Sequence, residues 1–217
     1  MHPATSRLLK KSALRAPLIC LLACSGICGA AHAATLLHPV FQDHVVLQRD
    51  KPINLWGEAP PREELSVSFD GRTATAQADE LGHWHATLPA VPAGGSHELS
   101  VRTKSGQSQA VSDVLVGDVW LCSGQSNMVL QVHRALDSRS EIANSANDAI
   151  RLLTVPDASS ARPQQAFSQP VAWRVAGPST VPDFSAACLY FARELRKTVD
   201  VPMGLIVSAW GGARIQT

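Results

Sequence analysis

The sequence predicts a mixed fold, a small antiparallel β-sandwich followed by the opening part of a parallel α/β sheet. Between residue 35 and about residue 112, short segments alternate apolar and polar side chains and are separated by turn signals. A nearly continuous apolar run at residues 114–122 then ends that alternation, as a strand buried on both faces does. Further on, a helical stripe and a second buried run at residues 204–210 complete a strand, helix, strand order, which favours a parallel sheet.

The elements follow in chain order. Residues 1–33 read as an export signal. Arg7, Lys10, Lys11 and Arg15 precede an apolar run over residues 16–31, and the small-x-small triplet Ala31-His32-Ala33 closes it. Cleavage is expected after Ala33; a retained anchor and a lipid-modified Cys24 are the weaker alternatives. Residues 34–112 form the expected sandwich. Residues 53–56 and 65–69 alternate, Asp70-Gly71 marks a hairpin, and residues 72–78 return beside the preceding strand. Residues 83–88 alternate again, and residues 97–101 resume the pattern after Pro92, Gly94 and Gly95 interrupt it. Residues 113–217 form the expected parallel portion. After the run at 114–122 come a turn, a segment opening a helix at Ser126, and a loop-rich stretch from 156 to 182. A helix is predicted over residues 185–198, with Cys188, Phe191, Ala192 and Leu195 on one stripe, closed by Pro202. Such a sheet normally has more strands, so the chain is expected to be part of a larger fold, with apolar faces left open on both buried runs.

Charge and cysteine content narrow the function. The leader holds four of the 19 basic residues and none of the 18 acidic ones, so 15 stand against 18 in the remainder, about −3. No basic stripe marks a nucleic-acid surface, and after signal cleavage no membrane span remains. Cys122 and Cys188 are the cysteines left beyond the leader. They read as small buried apolar side chains, with a single bridge open to them in an oxidising compartment. A secreted or periplasmic location follows from the leader.

Two motifs carry chemistry. In Gly124-Gln125-Ser126-Asn127, a serine stands just past a buried strand at the start of a helix, where open α/β sheets place ligands. Gly124 permits the tight turn, and a helix N-terminus offers N–H groups to a developing oxyanion. An ordinary serine N-cap is the competing reading. In Trp210-Gly211-Gly212-Ala213-Arg214, two glycines after a buried strand let backbone approach a ligand, against the plainer reading of a strand-ending turn. His83 and His85 share a strand face without a third ligand in view, so no metal is expected.

The run Gly117-Asp118-Val119-Trp120-Leu121-Cys122-Ser123-Gly124-Gln125-Ser126-Asn127-Met128 closely resembles the nucleophile block of the sialate O-acetylesterases, SGNH hydrolases akin to acetylxylan esterases. Residues 204–212 resemble that family's second block, and residues 38–48 with Trp56-Gly57 are similar to its N-terminal region. The resemblance implies that Ser126 attacks an acetyl ester on a sugar, and that the oxyanion is held by the N–H groups of Ser126 and of Gly212 or Gly211. It implies Gln125, Asn127 and Arg214 as substrate-binding residues, an acetylated sugar as partner, and no cofactor. Val129, Ala213 and Gln216 depart from the family's usual residues. The family's third block and its late Asp-x-x-His pair have no counterpart in the sequence, since none of the histidines beyond the leader follows an Asp by three. His133, seven residues past Ser126, is expected two turns along the same helix and out of reach. The chain by itself is therefore expected to lack efficient esterase activity. The alternative reading is a secreted carbohydrate-binding sandwich with an inactive esterase remnant, in which Trp56 and Trp84 stack on a sugar.

Overall fold

The computed structural model describes residues 35–213, all within one compact unit. The leader and Arg214 lie outside the described residues. The strands are β1 (Val46–Gln48), β2 (Ile53–Glu58), β3 (Glu64–Phe69), β4 (Arg72–Gln77), β5 (His83–Leu88), β6 (Gly94–Thr103), β7 (Ser108–Gly124), β8 (Asn147–Thr154), β9 (Arg174–Ala176) and β10 (Met203–Ala209). Three helices accompany them: α1 (Ser126–Val129), α2 (Ser138–Ala143) and α3 (Ala186–Leu195). Eight strands make one mixed sheet in the order β4-β3-β6-β7-β10-β8-β9, with β1 also on β7, while β2 and β5 pair separately.

Strand β7 joins the two styles of pairing. Its first half is antiparallel to β6, and its second half is parallel to β10. It runs unbroken for 17 residues, with Asp113 at a positive φ of 51° partway along. The antiparallel side follows from alternation. β2 and β5 turn Leu55, Trp84, Ala86 and Leu88 inward, where they share a core with Val67, Phe69 and Val101 from the larger sheet. Asp70 and Gly71 take φ values of 47° and 71°, the conformation that a two-residue hairpin between β3 and β4 requires.

A second core lies under α3. Ile150, Leu152, Leu205 and Val207 from the parallel strands meet Cys188, Leu189 and Ala192. Ser185 caps α3, its hydroxyl accepting from the Cys188 N–H at 3.2 Å. The expected stripe is corrected at Phe191, which is 42% exposed and packs edge-on against Trp120 at 4.9 Å. The expected open apolar faces are closed in part: Val114, Val116, Cys122, Leu205 and Val207 are buried, while Trp120, Leu121 and Trp210 are exposed.

Three strands escape the periodicity reading, one of them β9, which lies inside the expected loop-rich stretch and is held by antiparallel pairing to β8. β1 is three residues long and is held by parallel pairing to residues 115–117. β8 contains Arg151, whose charge interrupts an apolar run, yet the side chain is buried. The Asp113 carboxylate meets it at 3.0 Å and also bonds His44 Nδ1 at 2.6 Å. Burial opposes ionisation of Asp113, but His44, Arg151 and Ser96 together outweigh it and hold the carboxyl below its ordinary range. Among the described residues no helix is long and apolar enough to cross a membrane.

Candidate active site

The parallel register of β7 and β10 places two turns side by side. Ser208 pairs with Ser123 and Ala209 with Gly124, so both strands end at the same level. Trp210 then donates its N–H to the Gly124 carbonyl at 3.2 Å. Gly124 has a φ of 151°, which swings the chain out of the strand and leaves Ser126 exposed at the start of α1. On the neighbouring turn, Ala213 N–H closes onto the Trp210 carbonyl, and Gly212 has a φ of 81°, as at the third position of a type II turn. A Cβ on Gly211 would lie 4.0 Å from the Ser126 Cα, so the Gly-Gly pair and the serine are neighbours.

The helix after Ser126 is shorter than expected. α1 is a single turn, in which Met128 and Val129 donate to the Gln125 carbonyl. Leu130 is extended, with φ −55° and ψ 117°, and the chain enters a separate 3₁₀ turn at Val132–Arg134. A full helix dipole therefore does not point at Ser126. His133 is consequently not two turns along the same helix. Its Nδ1 lies 2.9 Å from the Pro182 carbonyl and 3.3 Å from Asp183.

What holds the serine turn is the start of α3. Ala186 N–H donates to the Leu130 carbonyl, Val132 N–H to Phe184, and His133 N–H to Pro182. The Ser185 hydroxyl also lies 3.6 Å from the Met128 sulfur. A disulfide joins Cys122, four residues before Ser126, to Cys188 in the first turn of α3. This corrects the reading of the two as separate apolar side chains. Burial alone does not distinguish a bridged from a free cysteine, and the pairing follows from α3 folding back over β7.

A cavity of about 1060 Å³ opens beside the two turns. Gly124, Gln125 and Trp210 form one wall, and a loop carrying Asp157, Ser160 and Phe167 forms another, with His38 also at its edge. Among its described lining residues, Asp157 and His38 are the titratable ones. Ser126 and Asn127 are exposed but are not part of that lining, and a smaller cavity of about 470 Å³ borders Gly211 and Gly212. The structure thus brings Ser126, Gln125, Gly211 and Gly212 together, leaves Asn127 exposed beside Ser126, and does not describe Arg214. Among the described residues no side chain hydrogen-bonds the Ser126 hydroxyl, and no group of three or more His, Cys, Asp or Glu converges. The His38 wall was missed by sequence reasoning; its signal is only a histidine in an irregular N-terminal segment. Of the two tryptophans considered for sugar stacking, Trp84 is ruled out at 3% exposure, its indole N–H bonded to the Leu36 carbonyl, while Trp56 is 42% exposed.

No family model matches the chain. It is 31% identical to a sialate O-acetylesterase of Pongo abelii, over 75% of this chain and 34% of that protein. It is 29% identical to the sialate O-acetylesterase of Mus musculus, over 80% of this chain and 35% of that one. The crystal structure of a carbohydrate acetylesterase from Xanthomonas citri superposes with a TM-score of 0.80 at 40% identity, covering 82% of this chain and 41% of the other. The chain spans about a third of the length of the curated relatives it matches.

Proposed function

Because the chain is related to the sialate O-acetylesterases and to a carbohydrate acetylesterase, we propose that it carries the nucleophile half of an enzyme that removes O-acetyl groups from sugars. The single observation that supports this reading most is the placement of exposed Ser126 against the Gly211-Gly212 turn, at the ends of two adjacent parallel strands. In this reading the Ser126 oxygen attacks the acetyl carbonyl carbon as its proton passes to a base. The resulting oxyanion lies between the N–H groups of Ser126 and of the glycine pair. Collapse expels the sugar oxygen, which takes a proton, and water then releases acetate from the acetyl-serine. A serine hydroxyl needs a positioned base to react at neutral pH. No described histidine bonds Ser126, so the base is assigned to residues outside those described, and efficient turnover is expected only where they are present. Sialic acids, named for the curated relatives, are the leading substrate class, and acetylated xylan is the runner-up. The leader and the disulfide fit an exported enzyme whose catalytic portion begins near residue 113.

The test is acetate release from O-acetylated sialic acid and from acetylated xylan, using a version extended past Thr217 and its Ser126→Ala variant. Ser126 is exposed and its side chain bonds none of the described residues, so the variant should keep its unfolding midpoint while turnover disappears. Turnover retained in Ser126→Ala removes the assignment.

A further inference from the structure

We propose that the site extends from the cavity onto the outer face of the β2–β5 ribbon, and that this extension binds the neutral sugars next to the acetyl-bearing one. The substrate is then a saccharide chain rather than a free monosaccharide. Only the order of subsites rests on the Ser126 reading; binding itself requires no turnover.

Three rings lead out of the cavity. Phe167 and His38 both line it, with ring centroids 5.5 Å apart, and His38 is in turn 5.5 Å from Trp56. Their orientation is fixed. His38 Nδ1 accepts the Val40 N–H at 3.2 Å, so Nε2 carries the proton and donates to the Gln165 carbonyl at 3.1 Å. The His38 N–H itself donates to the Trp56 carbonyl at 2.9 Å. Beneath, buried Phe41 packs edge-on against the Trp56 indole at 4.7 Å. The indole is thus held in place from one side and 42% exposed on the other.

The surroundings of Trp56 match the chemistry of a sugar ring. Strand alternation puts Asn54, Trp56 and Glu58 on the outer face, opposite Thr87, His85 and His83. The Thr87 hydroxyl donates to Asn54 Oδ1 at 2.9 Å, leaving the Asn54 amide free to donate outward. A pyranose presents an apolar C–H face and a rim of hydroxyls, so it can stack on an indole and bond to flanking amide, hydroxyl and imidazole groups. No lysine or arginine stands on this face or among the described cavity lining. Neutral sugars therefore fit the extension better than anionic ones, whether the acetylated sugar itself is a sialic acid or a pentose.

Calorimetric titration of the 217-residue chain with the neutral hexasaccharides xylohexaose and lacto-N-hexaose, and with xylose and galactose, tests this. At least one hexasaccharide should bind about tenfold more tightly than its monosaccharide, and Trp56→Ala should abolish that margin. Hexasaccharides that bind no better than monosaccharides, or a margin that survives in Trp56→Ala, overturn the proposal. Should Trp56→Ala fail to fold, the wild-type indole N–H resonance of Trp56 serves instead: it should shift on adding the tighter hexasaccharide, and a stationary resonance overturns the proposal. A mass that rises with concentration in ultracentrifugation and falls in Trp56→Ala assigns the face to a second copy and also overturns it. Acetate release is read separately. Loss of Ser126 dependence with hexasaccharide binding intact overturns the nucleophile and leaves the extension standing.

Discussion

Replacing both bridged cysteines, Cys122→Ala with Cys188→Ala, should destabilise the protein substantially while leaving its fold intact. The bridge spans 66 residues of sequence and joins elements whose Cα atoms are 6.0 Å apart in the fold. Closing a loop of that size removes denatured-state entropy worth about 4 kcal/mol in the chain-entropy model. Both side chains are also buried, at 7% and 1% exposure, so losing the sulfurs removes packing as well. For a unit of this size the expected fall in melting temperature is on the order of 10 °C. The assay is urea unfolding followed by tryptophan fluorescence, on oxidised wild type, reduced wild type and the double variant. Reduced wild type should resemble the variant, because the same tether is missing in both. The reasoning fails if the double variant unfolds within about 1 kcal/mol of oxidised wild type, or if native wild type shows two thiols reactive toward a disulfide reagent.

Other perturbations follow from local geometry. In Gly212→Val, a β-branched residue is forced to a φ of 81°, and kcat in the extended enzyme should fall about a hundredfold; unchanged kinetics would move the oxyanion donor elsewhere. In Gly117→Ala, the new Cβ would lie 2.0 Å from the Pro202 carbonyl oxygen, which also accepts the Asp118 N–H. Neither strand can move without breaking that bond, and a loss of about 3 kcal/mol in chemical denaturation is expected. Asp113 has a folded-state carboxyl held below its ordinary 3.8, so its contribution to stability is complete above that pH and is lost as pH falls below it. Asp113→Asn should flatten that part of the stability–pH curve measured by thermal melting, and an unchanged slope would show that the His44 and Arg151 contacts do not couple to folding.

Strands with strict alternation were legible in the sequence, because each position has a clear inside or outside. β5 matches its predicted residues 83–88, and β3 and β4 flank the Asp70-Gly71 turn as expected. β8 was missed because Arg151 breaks the apolar run; the Asp113 carboxylate that permits its burial lies 38 residues earlier. β1 was missed because a three-residue strand exists only through its partner. At the site, Ser126 and the two glycines were visible as motifs, since glycine requirements and a strand-ending serine leave local marks. The cavity wall was not. Phe167 sits in a loop without periodicity and lines the cavity beside His38, more than a hundred residues away in sequence. The short α1 was equally hidden, because what ends it is the pairing of Gln131 with Ser185 rather than any breaker residue.

The matching ends of β7 and β10 limit how the gene can vary in length. Ser126 and the glycine pair are brought level by the register that sets Ser208 beside Ser123 and Ala209 beside Gly124. One residue inserted in β10 would shift the Gly-Gly turn by about 3.3 Å along the strand and reverse the facing of every side chain beyond it. Insertions and deletions are therefore confined to the connections. The loop from 156 to 170, which lies outside the strand pairings, is the segment in which related proteins can differ in length while still presenting the serine and the glycines to each other.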